Sequence, residues 1–309
     1  MARVELPDEL ARGPFTVARA LELGVRHCDL RSLGLHRPTH SVRCGEVPSG
    51  TAERAQAFAR ALPEDSAFSH VTAASLLGLP LPEAHETDPV LDVMRPSRRM
   101  PTRRKGCRGH RGLESREVVD VDGLRVVAVA DTWCDLAELR HPALGLDDLV
   151  VAGDVAVNRL GGPEPAGVLA SALGSRVSPR GGRLLGRALP LLRAGVRSPM
   201  ESRARLMFVR AGFPEPEVNA PVRDAAGGWL LEGDLVWRER RVVGEYQGEV
   251  HADRQRRSAD AHRAGIARDA DWTVLELWAE DLNSAPRRAT TLRRFAVALG
   301  LDPSRLDIA

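Results

Sequence analysis

Asp234 and Glu245 are separated by ten residues, and Glu245 opens the run Glu-Tyr-Gln-Gly-Glu-Val-His at 245–251. The flanks read as two strands, Trp229–Trp237 and Arg241–Gln247, with the polar stretch Arg238–Arg240 between them. If the hairpin loop is the pair Glu239-Arg240, Asp234 faces Glu245 across the ladder with Cβ atoms roughly 4.5–5.5 Å apart. Like charges so placed destabilise a sheet, so folding alone gives little reason for them. A hard divalent cation gives one, because Mg²⁺ is typically held by one or two carboxylates together with waters and a substrate phosphate. Such an ion activates water and stabilises the charge of a phosphodiester under attack. Strand alternation places Glu245 and Gln247 on one face with Asp234, and Leu235, Trp237, Val242 and Tyr246 on the other face or its margins. The plain alternative is an exposed hairpin with scattered acids.

Residues on either side add to the cluster. Ser198-Pro199-Met200-Glu201 is a capping box, with Ser198 as N-cap, Pro199 at the first helical position and Glu201 reaching back. It serves equally well as the start of a helix that brings a third acid to the site. His251 follows the acid strand closely, which suits a base or phosphate contact near a metal; a solvated loop histidine is the alternative. Asp260 and Arg263 stand three apart on a basic helix expected at 253–268, a spacing that by itself supports a surface ion pair. Tyr246, the single tyrosine, is expected to pack in the core.

The segment 198–282 resembles the endonuclease domain related to very-short-patch-repair enzymes, within the PD-(D/E)XK nuclease superfamily. The resemblance runs through Ser198-Pro199-Met200-Glu201-Ser202-Arg203, Ala211-Gly212-Phe213-Pro214, Asn219, Gly233-Asp234-Leu235-Val236-Trp237, Glu245-Tyr246-Gln247-Gly248, His251, Asp260, Arg263, Asp271-Trp272-Thr273-Val274 and Asp281-Leu282. It implies mixed strands flanked by helices around a metal-dependent phosphodiesterase site. Asp234 and Glu245 match the family's metal-binding acids, and Glu201 matches its upstream helix acid. Gln247 stands where the wider superfamily usually has Lys and this domain family often has Asp, and Gln carries no positive charge. Lys105, the only lysine, lies far away in sequence. Glu276 and Asp271 are further departures, at positions where the family more often shows Arg and Gly.

A chain of 309 residues has room for two or three domains. With 43% hydrophobic residues it can build packed cores despite only 4% aromatics, and a net charge of +2 excludes a polybasic binder of the whole-chain type. The basic residues are nearly all arginine, the better fork for phosphate and guanine edges. Cys28, Cys44, Cys107 and Cys134 show no C-x-x-C spacing, which argues against a zinc site or a disulfide framework. No apolar run reaches the roughly 18 residues of a membrane span, and the first residues lack a signal-peptide core. The expectation is a cytoplasmic protein with no membrane partner.

Three zones follow along the chain. Residues 1–48 read as a winged helix-turn-helix: a short helix ending at Gly24, a second from Arg26 to Gly34, and a small hairpin over Leu35–Cys44. This zone resembles the N-terminal domain of AbiEi-type antitoxins. Helix-turn-helix docking puts the second helix in the major groove, with Arg26, His27 and Arg31 as candidate DNA contacts and Arg37 and His40 on the wing. A protein-interaction module is the alternative. Residues 49–195 form a mixed α/β middle zone, again resembling AbiEi-type proteins through Arg108–Arg111 and Asp131-Thr132-Trp133-Cys134-Asp135-Leu136-Ala137. Its basic stretch 95–111, including Arg103, Arg104 and Lys105, suggests phosphate contact. Gly161–Arg183, rich in Gly, Pro and Ser, reads as partly mobile, and Leu184–Ala194 as helical. Residues 196–309 form the endonuclease-like zone, and the whole is of the α/β (α+β) class. The expected function is a DNA endonuclease using Mg²⁺, with Mn²⁺ as substitute, fused to an antitoxin-like DNA-binding region. The rival is a non-catalytic DNA-binding regulator or antitoxin that has a toxin protein as partner. In either reading Arg263 is a candidate DNA contact.

Overall fold

The computed structural model describes residues 6–32, 34–140, 142–247 and 270–308. The chain is α+β and divides into two compact units, Met1–Leu191 and Leu192–Ala309. Among the described residues no helix is long and apolar enough to cross a membrane.

The first unit opens with α1 (Asp8–Ala11), β1 (Phe15–Thr16), α2 (Val17–Glu22), α3 (His27–Ser32) and β2 (Val42–Arg43). The Thr16 hydroxyl caps α2 by accepting from the Arg19 amide at 3.1 Å. Gly24, at φ 83°, ends it in the left-handed conformation that glycine adopts without steric cost. Leu10, Phe15, Ala20, Val25 and Leu30 close a small core between the helices. β2 pairs antiparallel with β1, and an isolated bridge joins His36 to Cys44. The hairpin expected over Leu35–Cys44 is thus seen as that bridge, with its return strand tied to β1.

Next come α4 (Thr51–Ala59), β3 (Ala67–Phe68), α5 (His70–Leu76), α6 (Glu83–Glu86), β4 (Leu91–Arg95), β5 (Cys107–Arg111), β6 (Val118–Val121) and β7 (Leu124–Val127). The strands form a mixed five-stranded sheet in the order β5-β4-β3-β7-β6. Helices α7 (Val129–Leu136), α8 (Leu146–Leu160), α9 (Pro165–Gly174) and α10 (Gly182–Ala188) complete the unit. Trp133 is fully buried and its indole N–H donates to the Leu149 carbonyl at 2.8 Å, so α7 and α8 meet through a satisfied aromatic anchor. Residues 161–183 carry α9: Pro165 starts it, and Leu169 buries completely. Pro165 sits at the first helical position, where its missing N–H costs nothing, and Gly167 is tolerated within the first turn.

The second unit contains α11 (Pro199–Arg210), β8 (Glu217–Arg223), β9 (Trp229–Trp237), β10 (Val242–Gln247), β11 (Thr273–Trp278), α12 (Ala279–Asn283) and α13 (Ala285–Leu299). The sheet order is β11-β10-β9-β8, antiparallel except for the parallel pair β10–β11. Leu235, Trp237, Val242 and Leu277 pack with Phe208 of α11 and Phe295 of α13, and Tyr246 joins their margin. Phe208 lies 5.0 Å from Trp237 and 4.7 Å from Phe295, centroid to centroid, in tilted and edge-on contacts. Val222, Leu231, Val236, Val243 and Trp272 form a separate cluster. The alternation of Trp237/Leu235 with Val236, and of Val242 with Val243, therefore separates two buried faces, as strand periodicity requires.

Candidate active site

The ladder between β9 and β10 pairs Val242 with Trp237, Val243 with Val236 and Gly244 with Leu235. Extended one step, this register would bring Asp234 opposite Glu245, but the ladder itself ends one pair earlier. The connection is not a two-residue loop, however: a 3₁₀ turn fills Arg238–Arg240, and Arg241 at φ 50° closes it. Bridging stops at Leu235–Gly244. Beyond that pair the Tyr246 amide donates to the Asp234 carboxylate at 2.8 Å. The site therefore sits where two strands part and a side chain takes over from the ladder.

Asp234 is charged at a cost. Burial pushes its carboxyl up to about 6, the Tyr246 amide opposes that rise, and the neighbouring Glu201 adds to it. The half-buried Glu245 hangs beside the preceding residue, since a Cβ placed on Gly233 would stand 3.6 Å from Glu245 Oε1. The same Cβ would fall 2.6 Å from Val243, so close strand approach here requires glycine. Gln247 is half-buried and aligned with Trp278, while Glu245 is aligned with the exposed Glu276 of β11.

Glu201 caps α11 and also lies near Asp234. Its amide donates to the Ser198 hydroxyl at 3.2 Å, the first arm of a capping box. The return arm reaches one residue further than expected, with Glu201 Oε2 accepting from the Arg197 amide at 2.9 Å. The same oxygen accepts from Asn219 Nδ2 at 2.6 Å. Asn219 falls opposite Asp234 in the β8–β9 register and takes φ 46°, a conformation Asn tolerates. Glu201 is 7% exposed, so it does not point into solvent.

Among the described residues no group of three or more His, Cys, Asp and Glu side chains stands ready to hold a metal ion. Glu201 is hydrogen-bonded to Asn219 and the Arg197 amide, and Asp234 to the Tyr246 amide. His251, Asp260 and Arg263 lie outside the described residues. Two neighbours of the site escaped the sequence reading. The Arg197 guanidinium grips Glu232 through two hydrogen bonds of 2.7 and 2.8 Å. Glu232 lies two residues before Asp234 on β9. Strand spacing from Asp234 signals Glu232; nothing in the local pattern singles out Arg197.

In the first unit, Arg26, His27, Arg31, Arg37 and His40 are all exposed. Arg26 is engaged by Asp29, at 2.8 Å from Nε and 3.0 Å from Nη2. The basic stretch is less free than its composition suggests. Arg95 and Arg99 bind Asp65, and Arg108 binds Asp88 and Asp92. Arg104 reaches the carbonyls of His40 and Ala61 and the Thr39 hydroxyl, at 2.7, 3.1 and 3.2 Å. It thereby ties the β2 approach to the end of α4 and has little left for a phosphate. Arg103 and Lys105 are exposed, with no salt bridge to a described residue. If this unit binds DNA, the double change Arg103→Ala, Lys105→Ala is expected to flatten the salt dependence of that binding by up to about 0.9 per lost phosphate contact, and in any case to leave the melting temperature unchanged. Arg104→Ala is expected to lower that temperature. A titration over a salt series, paired with thermal unfolding, separates the two.

Sequence reasoning also passed over a buried polar chain in this unit. Asp92, with no exposed surface, accepts from His110 Nε2 at 2.8 Å and Arg108 at 3.0 Å, and His110 stacks on His70 at 3.7 Å. Burial, with His110 and the local arginines adding to it, pushes His70 down to about 3, so it is neutral.

Comparison with known proteins adds the following. No family model matches the chain. It is similar to two uncharacterized proteins of Mycobacterium tuberculosis, MT2308 and Rv2248, each 29% identical over 119 residues, or 38% of this chain and 42% of the relative. The chain thus spans less than half the length of the curated relatives it matches. Among solved structures, the crystal structure of the Rv2827c protein from Mycobacterium tuberculosis is similar with a TM-score of 0.39 and 19% identity, over 75% of this chain and 86% of that one.

Proposed function

We propose that the second unit is a metal-dependent DNA endonuclease domain and that the first unit is a DNA-binding, antitoxin-like region. The observation that carries this reading is Asp234: a half-buried carboxyl pushed up to about 6, beside Glu201 and opposite Glu245 in the register extended by one step. A divalent cation resolves that placement. The donor set suits Mg²⁺, or Mn²⁺ in its stead, since all the ligating atoms are hard oxygens. Asp234 and Glu245 would hold the ion, and Glu201 a second ion or a bound water. Bound there, the ion supplies Lewis acidity and a more acidic water. Gln247 and His251 orient water or phosphate, and Asn219 holds Glu201 in place. On this reading the protein works in the cytoplasm, where its DNA is.

The test is incubation of the full chain with duplex, mismatched, nicked and single-stranded DNA in Mg²⁺, Mn²⁺ or EDTA. Cleavage that needs the metal supports the reading; no cleavage of any form in either metal sinks it. The second reading, a non-catalytic DNA-binding regulator with a toxin partner, is favoured by the neutral Gln247 and by the hydrogen bonds that now engage Glu201 and Asp234.

A pH dependence follows from Asp234. Its folded pKa is raised, so the folded state holds a proton that the unfolded chain releases between about pH 4 and pH 6. Stability contributed by this group is therefore present below that window and lost as pH rises through it. Metal that binds only the folded state restores stability in proportion to RT ln(1 + [M]/Kd). In EDTA the melting temperature is expected to fall between pH 5 and pH 7 more for wild type than for Asp234→Asn. At pH 7.5, Mg²⁺ is expected to raise it for wild type alone.

A further inference from the structure

The acids alone cannot receive a phosphodiester. Glu201, Glu232, Asp234 and Glu245 surround the place where the substrate's own negative charge must come, and Gln247 adds none of the opposite sign. Among the described residues, the Arg197 guanidinium stands beside them. Arg197 immediately precedes the N-cap of α11, and its amide is fixed on Glu201 at 2.9 Å. Its side chain lies on Glu232, two residues from Asp234, at 2.7 and 2.8 Å. Arg197 is also the cation that acts on the Asp234 carboxyl.

The pairing with Glu232 is of a kind that exchanges easily. The two side chains are 62% and 42% exposed, and water-exposed ion pairs hold their partners weakly. The fork that binds a carboxylate through two N–H groups fits a phosphate equally well. The backbone end of Arg197 is anchored while its head is exposed, so the head moves without disturbing the helix cap.

We propose that Arg197 is a phosphate-binding residue of this site. Its guanidinium rests on Glu232 in the free protein and passes to the scissile or adjacent phosphodiester of a bound nucleic-acid strand, supplying the charge that Gln247 does not carry. This rests on the endonuclease reading above. Glu232 is then a resting place and a brake rather than a structural clip, and the two roles predict opposite signs for its removal.

The experiment compares wild type, Arg197→Gln, Arg197→Lys, Glu232→Gln and Asp234→Ala as full chains. Cleavage is followed in Mg²⁺, and binding of a short duplex is followed in Ca²⁺ across a salt series. Arg197→Gln is expected to lower kcat/KM by about a hundredfold or more, as loss of a charge-stabilising donor does. It should flatten the salt slope by about 0.9, one phosphate contact, while Arg197→Lys recovers part of both. Glu232→Gln is expected to bind DNA more tightly than wild type, with cleavage retained. A structural clip instead predicts that Arg197→Gln and Glu232→Gln weaken function together and lower the melting temperature together. If Arg197→Gln binds with wild-type affinity and slope and cleaves at the wild-type rate, the proposal is overturned, and loss of cleavage in Asp234→Ala still leaves the endonuclease reading intact. If wild type cleaves nothing, the endonuclease reading falls. Arg197 is then judged on binding alone: an unchanged slope rejects it, and a flattened one keeps it as a phosphate contact of a non-catalytic binder.

Discussion

Asp234→Ala is expected to abolish metal-dependent cleavage, by at least about a thousandfold, while leaving the metal-free protein as stable as wild type or more so. The first half follows from what the carboxylate would hold: a bound divalent ion supplies several kcal/mol of transition-state stabilisation, and a thousandfold corresponds to about 4 kcal/mol. The second half follows from the cost of the charge. At neutral pH Asp234 is ionised although burial and Glu201 push its carboxyl up to about 6. Removing it relieves a strain of the order of 2 kcal/mol after allowance for the site's partial exposure. Against this stands the loss of one hydrogen bond from the Tyr246 amide. Glu245→Ala is expected to share the loss of cleavage, with a smaller gain in stability. The measurements are initial cleavage rates in Mg²⁺ and thermal unfolding in EDTA at pH 7.5. A variant that cleaves as fast as wild type would end the endonuclease assignment. A variant that melts well below wild type would show that Asp234 serves the fold, through Tyr246, rather than a cation.

The strand pair that carries these acids was legible because it obeys the simplest rule in the chain. Trp229–Trp237 is observed with the bounds read from sequence, and Val242–Gln247 differs by one residue. Period-two burial and a polar interruption sufficed to place the register of the two strands up to Leu235 and Gly244. What remained hidden depends on contacts between distant segments. Nothing near Asn219 announces that its amide will hold Glu201, eighteen residues earlier, or that its backbone will turn left-handed inside a strand. Arg197 reads as one arginine among many until Glu232, thirty-five residues on, is brought beside it. The basic stretch misled in the other direction. Composition showed a cluster of positive charge, but Asp65, Asp88 and Asp92 take up much of it, and Arg104 bonds to backbone carbonyls. Local pattern reports where charge is, and only the fold reports whether it is already spent.

The segment Asp131-Thr132-Trp133-Cys134-Asp135 shows the same point from the side of stability. Asp135 is completely buried on α7 and accepts from Arg116 Nε at 3.0 Å, Arg116 Nη2 at 2.9 Å and Arg176 Nη1 at 2.6 Å. Arg176, just past α9, also reaches Asp131 Oδ1 at 3.0 Å, and Asp131 Oδ2 accepts from the Glu117 amide at 2.9 Å. Two guanidinium side chains only 11% and 5% exposed thus share one fully buried carboxylate that joins α7, the approach to β6 and the end of α9. Asp135→Ala is therefore expected to destabilise the first unit by about 3–5 kcal/mol, because it takes from two buried guanidinium groups the carboxylate they share at the shortest distances. That is a large share of the roughly 5–15 kcal/mol that typically separates folded from unfolded domains. Glu138, 3.8 and 3.6 Å from the two guanidinium groups, offers partial compensation, and the double variant Asp135→Ala, Glu138→Ala is expected to lose more than either alone. The exposed pair Arg19–Glu9, at 47% and 57%, provides the contrast: Glu9→Ala is expected to cost no more than about 1 kcal/mol. Denaturant unfolding followed by fluorescence of the buried Trp133 reports the first unit, with Trp229, Trp237, Trp272 and Trp278 replaced by phenylalanine in a common background. An Asp135→Ala transition within about 1 kcal/mol of that background would mean that water reaches both guanidinium groups and that the buried charge is not what holds α7, α9 and the β6 approach together.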